Sequence, residues 1–133
     1  MITVDVERLL SAWLRARPEI TAIVDDRVVT VVPNRAVFPF VKITQIAGAP
    51  VYSQPLFLDE AYLQIDCYGG PKVQARQLID LIRHAMSEEF LGLHEGVGVV
   101  TSVRFGDLSY IPDDGYDPAV PRFLAMASVY THP

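Results

Sequence analysis

Hydrophobic and polar residues alternate most cleanly along Glu60–Tyr68, where Ala61, Leu63, Ile65 and Cys67 fall on one side and Tyr62, Gln64, Asp66 and Tyr68 on the other. That period of two is the pattern of a strand with one buried face. Gly69-Gly70 breaks it, and Pro71 suits the start of a helix, where a missing N–H costs nothing. From Val73 to Phe90 the spacing changes: Ala75, Leu78, Ile79, Ile82, Ala85 and Met86 share one stripe, which predicts an amphipathic helix. A strand, a tight turn and a helix therefore form the rigid centre of the reading.

The remaining elements are placed around this centre. Residues 5–17 form a predicted helix, with Val6, Leu9, Leu10, Trp13 and Leu14 on its apolar stripe and Thr3 or Asp5 as its cap. Pro18 stops it, and Glu19–Val24 adds one more helical turn before Asp25-Asp26. The β-branched run Arg27–Val32 is a predicted strand closed by Pro33-Asn34, and Phe40–Ile46 is a second. Ala47–Leu58, with Gly48, Pro50 and Pro55, reads as a long exposed hairpin-like loop with β character at its edges. Gly92 ends the long helix, and Val99–Phe105 is again β-rich. Asp107–Pro121 reads as a second long, polar loop, and Arg122–Thr131 as a last strand, apolar enough on both faces to be central or covered. The order α-β-β-β-α-β-β predicts a single α+β domain over residues 1–133, with a mainly antiparallel sheet of about four to five strands and two main helices on one side.

Composition narrows the classes of function. Half of the 133 residues are hydrophobic, which suits one folded core, and the net charge is −5. The 11 basic residues are scattered rather than clustered, which argues against a tight nucleic-acid grip. The opening Met1-Ile2-Thr3-Val4-Asp5 has no basic stretch leading into an apolar run, so no signal peptide is expected and folding in a cytoplasm is. No apolar run is long enough for a membrane span.

Candidate chemistry fails residue by residue. Cys67 with His84 or His94 would be a nucleophile and base, but Cys67 sits in the apolar register of its strand and reads as a core residue. Asp113-Asp114-Gly115-Tyr116-Asp117 lacks the alternating ligands and closing glutamate of a calcium loop, and reads as a solvated turn. The adjacent pairs Asp59-Glu60 and Glu88-Glu89 point apart on a strand and a helix. Gly69-Gly70-Pro71-Lys72 lacks the order of a phosphate-binding loop. No catalytic residue, cofactor or metal site is expected.

Taken together, several segments carry a resemblance. They are the Pro-containing strand Phe38-Pro39-Phe40-Val41-Lys42-Ile43, the run Leu63-Gln64-Ile65-Asp66-Cys67-Tyr68-Gly69 with its following helix, Pro112-Asp113, and the strand opening Arg122-Phe123 and ending near His132. In this order they resemble the tail-terminator (tail-completion) family of long-tailed, non-contractile phages, of the kind found in actinobacterial phages. The resemblance implies a structural virion protein without catalytic residues. It would form a ring, usually a hexamer, at the head-proximal end of the tail tube, stopping tube polymerisation and offering a docking surface to the head connector. Its partners would be itself, the major tail tube protein and the connector, with genomic DNA passing through the lumen unbound. Contacts are expected on the two long loops and the outward strand face: Val51, Tyr52, Tyr62, Gln64, Tyr110, Asp113, Asp114, Tyr116 and Arg122. The tyrosines would act either as interface anchors or as pins holding each loop to its own sheet, and Arg122 could pair with Asp113 or Asp114. Competing readings are another neck component on the connector side and a dimeric ligand-binding α+β module.

Overall fold

In the computed structural model, which describes residues 3–51 and 58–133, three helices and six strands follow one another. Helix α1 (Val6–Arg15) buries Val6, Leu10 and Leu14, and the Asp5 carboxylate caps it by accepting from the Arg8 backbone N–H at 3.1 Å. The chain turns extended at Arg17, and Pro18 opens α2 (Pro18–Val24) as its first residue, so the expected extra turn is a short second helix. The Arg17 guanidinium lies 4.6 Å from the Trp13 ring centre and reaches Glu19 at 2.9 Å and Glu89 at 2.6 Å. It thereby ties the α1–α2 corner to the end of α3 (Lys72–Glu89).

The strands are β1 (Val28–Val29), β2 (Phe40–Pro50), β3 (Asp59–Tyr68), β4 (Gly92–His94), β5 (Gly98–Tyr110) and β6 (Arg122–His132). They form one sheet in the order β1-β2-β3-β6-β5-β4. The last strand is central, as its two-sided apolar character predicts. All neighbours are antiparallel except β1 and β2, which makes the sheet mixed.

Three boundaries differ from the sequence reading. The predicted strand Arg27–Val32 shrinks to Val28–Val29, because only Val41 and Lys42 of β2 face it, and Thr30 and Val31 beyond them are exposed. Ala47–Pro50 is strand rather than loop: after a bulge at Gln45/Ala47 the β2–β3 ladder runs on to Pro50↔Asp59, and Val51 N–H bonds the Leu58 carbonyl. Likewise β5 passes a bulge between Phe105 and Leu108 and continues to Tyr110, and the connection that remains is pinched by an Asp113↔Val120 bridge. The added short strand β4 arises where Gly92 takes a left-handed φ of 112° and the chain doubles back against Gly98–Val100.

The helices cover one face of the sheet. Leu63, Ile65 and Cys67 of β3 and Ala125, Ala127 and Val129 of β6 meet Leu78, Ile79, Ile82 and Met86 of α3, all at most 1% exposed. Cys67 is a core residue, as its register requires. Gly69 is needed where β3 enters α3: a Cβ there would lie 2.7 Å from the Ala75 nitrogen and 2.8 Å from the Pro71 carbonyl oxygen.

Leu63→Ala removes a fully enclosed side chain and is expected to cost about 2–5 kcal/mol, whereas Tyr62→Ala on the opposite face is expected to cost at most about 1 kcal/mol. Urea unfolding of both variants measures the difference, and equal losses would contradict this facing.

Candidate functional site

Opposite the helices, the pairing registers set a second face of defined rows. Lys42, Asp66 and Leu124 form one row, Thr44, Gln64 and Met126 the next, and Ala47, Tyr62, Ser128 and Arg104 a third. Along β3 this face changes character. Tyr62 is 38% exposed and Gln64 partly buried, while Asp66 and Tyr68 are buried.

The covered end is built by aromatic side chains. Phe40 stacks on Tyr68 at 4.4 Å between centroids, Phe38 packs on Phe40 at 5.4 Å, and Tyr116 meets Phe38 edge-on at 5.2 Å. The Tyr68 hydroxyl donates to Asp113 Oδ2 at 3.1 Å and accepts from Arg122 Nη1 at 3.5 Å, and Arg122 Nε donates to the Ile111 carbonyl at 2.9 Å. Arg122 therefore forms no ion pair with Asp113 or Asp114 among the described residues; a tyrosine hydroxyl stands between them. Asp113 Oδ1 also accepts from Gly115 N–H at 3.0 Å, which closes a local turn.

The sequence-derived residues thus fall in four places. Tyr62 and Gln64 lie on the open part of the sheet face. Asp113, Tyr116 and Arg122 belong to the cluster at its covered end, with Asp114 exposed beside them. Tyr110 is on the helix side, 4.8 Å from the Phe123 ring and with Lys72 Nζ 4.1 Å above it. Val51 closes the β2–β3 hairpin, and Tyr52 lies outside the described residues. Tyr116 and Tyr110 each pack a ring face or edge against an aromatic ring of their own chain. Sequence reasoning missed Phe38 and Phe40, whose partner Tyr68 is remote in the chain. It also missed the exposed apolar residues Leu91, Leu93 and Val97 around β4, for which apolar side chains between glycines were the available signal.

The chemistry of these groups is structural. Burial pushes the Cys67 thiol well up, away from a reactive thiolate. Burial also raises the Asp66 carboxyl, against Gln64 Nε2, which donates to both its oxygens at 3.0 and 3.2 Å. Among the described residues, no group of three or more metal-ligating side chains occurs and no helix is long and apolar enough to cross a membrane.

The family model described as tail completion protein gp17 matches residues 8–127. The chain belongs to that family. Its fold is similar to that of a chain from the virion of a native gene transfer agent particle, with a TM-score of 0.75 at 14% identity, over 93% of this chain and 92% of that one. No curated protein matches it. Membership agrees with the family resemblance of the strand and loop segments, and it makes this a tail completion protein, a structural component of a phage-type tail.

Two consequences of the covered end can be measured. Between the ordinary carboxylate value and the raised one, the unfolded chain ionises at Asp66 while the folded chain keeps the proton, so stability falls as pH rises through that window. Asp66→Asn is expected to raise the urea midpoint at neutral pH and to leave it unchanged in acid below pH 3.8. A midpoint lowered at neutral pH would contradict this. Tyr68→Phe, which removes the bridge between Asp113 and Arg122, is expected to cost about 0.5–1.5 kcal/mol and to speed amide exchange at Asp113 and Val120.

Proposed function

We propose that this tail completion protein forms a closed ring, a hexamer, on the head-proximal end of the tail tube. There it ends tube polymerisation, receives the head connector, and lets genomic DNA pass through its lumen. The observation that carries this reading is the family match across residues 8–127, nearly the whole chain. The net charge of −5 supports it, since an acidic protein lets a polyanion slide without adhering. The β2–β3 hairpin supports it as well, because its distal residues 45–50 are all exposed. In this reading, Val51 at the end of the hairpin and Tyr52 next in sequence meet the tail tube or connector, and Tyr62 and Gln64 present the open face to a neighbour. Asp113, Asp114, Tyr116 and Arg122 form a pre-ordered corner, and Tyr110 borders it on the helix side.

Particles imaged at the neck, together with the mass of the purified chain, test the proposal. A sixfold ring between tube and connector is expected. A ring bound at the connector side, away from the tube, would favour a different neck component, and a soluble dimer absent from particles would overturn the assembly reading. The tip has its own test. Replacing residues 52–57 by Asn-Gly keeps the Val51–Leu58 closure and offers a two-residue turn suited to antiparallel strands. Rings should still form, but tails should overrun their length or fail to join heads; normal tails would remove the tip from the contact.

A further inference from the structure

A ring repeats one contact head to tail, so each subunit must carry two different, complementary surfaces. The 18 residues of α3 hold two such surfaces about 27 Å apart. At the start of the helix, Lys72, Val73 and Arg76 border a cleft of about 430 Å³ floored by the Tyr110 and Phe123 rings, whose centroids lie 4.8 Å apart. Lys72 Nζ stands 4.1 Å over Tyr110, the Arg76 guanidinium lies 5.7 Å from the Phe123 ring centre, and Val73 is 78% exposed. Among the described residues no carboxylate lines this cleft. Asp80 is held by Arg76 at 3.0 Å, and Asp113 is bonded to Tyr68 on the other face of the sheet. Lys72 makes no ion pair among the described residues.

At the far end of α3 the β4–β5 hairpin projects Leu93, 71% exposed, and Val97, with Leu91 exposed beside them. Its turn is closed by Val97 N–H on the His94 carbonyl at 3.0 Å. The His94 ring is anchored by Nε2 to the Phe90 carbonyl at 2.8 Å, so the projection is braced on the helix end. Its charge is acidic. Glu88 and Glu95 are exposed and make no ion pair among the described residues, while Arg17 is already committed to Glu19 and Glu89. The two surfaces are joined a second time by β5, which begins in the hairpin at Gly98 and ends in the cleft at Tyr110. They therefore stand at opposite ends of two long elements.

We infer that the β4–β5 hairpin of one copy seats in the aromatic cleft at the start of α3 of the next, with Leu93 and Val97 against Val73 and the two rings and Glu95 beside Lys72. This inference rests on the ring reading and specifies its subunit contact. Charge favours a second copy as the occupant, since the cleft offers an unpaired ammonium and the hairpin end two unpaired carboxylates. The helix itself adds a reason. Its first turn has no acidic residue and its last no basic one, so each end carries charge of the sign that its own dipole disfavours. Setting the acidic end of one copy's α3 against the basic end of the next relieves both.

The test uses the full chain with its buried Cys67 retained. Val73→Cys chains and Leu93→Cys chains are each treated with a short bis-maleimide, alone and mixed. Crosslinked dimers are expected only in the mixture, and the Val73→Cys/Leu93→Cys double variant should give a ladder ending at the closed ring. Crosslinking of Leu93→Cys to itself, or rings of wild-type mass without mixed crosslinks, would overturn the hairpin-in-cleft contact while leaving the ring. So would a Val73→Cys chain that crosslinks in assembled tails to the tube or connector protein and not to Leu93→Cys, which would give the cleft a different occupant. A wild-type chain that stays monomeric both alone and on tail tubes would overturn the contact and the ring reading together. Leu93→Lys provides an independent measurement, because it sets a cation against Lys72 and Arg76. It should raise the concentration for half-assembly about tenfold or more with an unchanged urea midpoint, and unchanged assembly would count against the contact.

Discussion

The unbroken ladder between β3 and β6, from Asp59↔Thr131 to Tyr68↔Arg122, is the constraint on which the rest of the structure depends. In a sheet the side-chain period is two, so this register decides for both central strands which residues meet the helices. It sends Leu63, Ile65, Cys67, Ala125, Ala127 and Val129 to one side, where α3 covers them, and Tyr62, Gln64, Met126 and Ser128 to the other. A slip by one residue would bury the polar set and strand the apolar one, at a cost no loop contact in the molecule could offset. The same ladder buries Cys67, and that burial pushes its thiol well up from the ordinary value.

The outer pairs are less regular, and their irregularity has consequences. β2–β3 is bulged at Gln45/Ala47, and β5–β6 between Val100 and Ser102 and again between Phe105 and Leu108. Bulges increase local twist and interrupt the row of free backbone groups, and so blunt a long edge against indiscriminate pairing. With Glu7 on the Gln45 amide, little of β2 is left as a template for another strand.

How much of this was legible in the sequence varies with how local the cause is. The strand–turn–helix from Glu60 to Phe90 was readable because its periodicity and its glycine turn lie in one contiguous stretch. The central place of Arg122–Thr131 was readable because both faces are apolar. By contrast, Arg27–Val32 was over-read as a strand: β-branched residues report a local preference, but a strand exists only where it pairs, and this run pairs with β2 only at Val28↔Val41 and Val29↔Lys42. The corner at Tyr68 could not be read at all. Its parts come from Phe38, Tyr68, Asp113, Tyr116 and Arg122, and only the folded chain puts a hydroxyl between the aspartate and the arginine.

That corner also separates two kinds of exposed surface that look alike in a sequence. Tyr116, Asp113 and Arg122 are held by rings and hydrogen bonds of their own subunit, so a partner meeting them pays little ordering entropy and gains little new burial. Leu93 and Tyr62 sit on paired strands, yet their side chains remain in water. Burying a pre-positioned apolar side chain recovers its full transfer free energy without the cost of arranging it. Rigid side chains still facing solvent are therefore where association has most to gain. Aromatic content alone would have directed attention to the tyrosines of the loops; the most exposed apolar side chains are instead Val73 on α3, Val31 after β1 and Leu93 on β4.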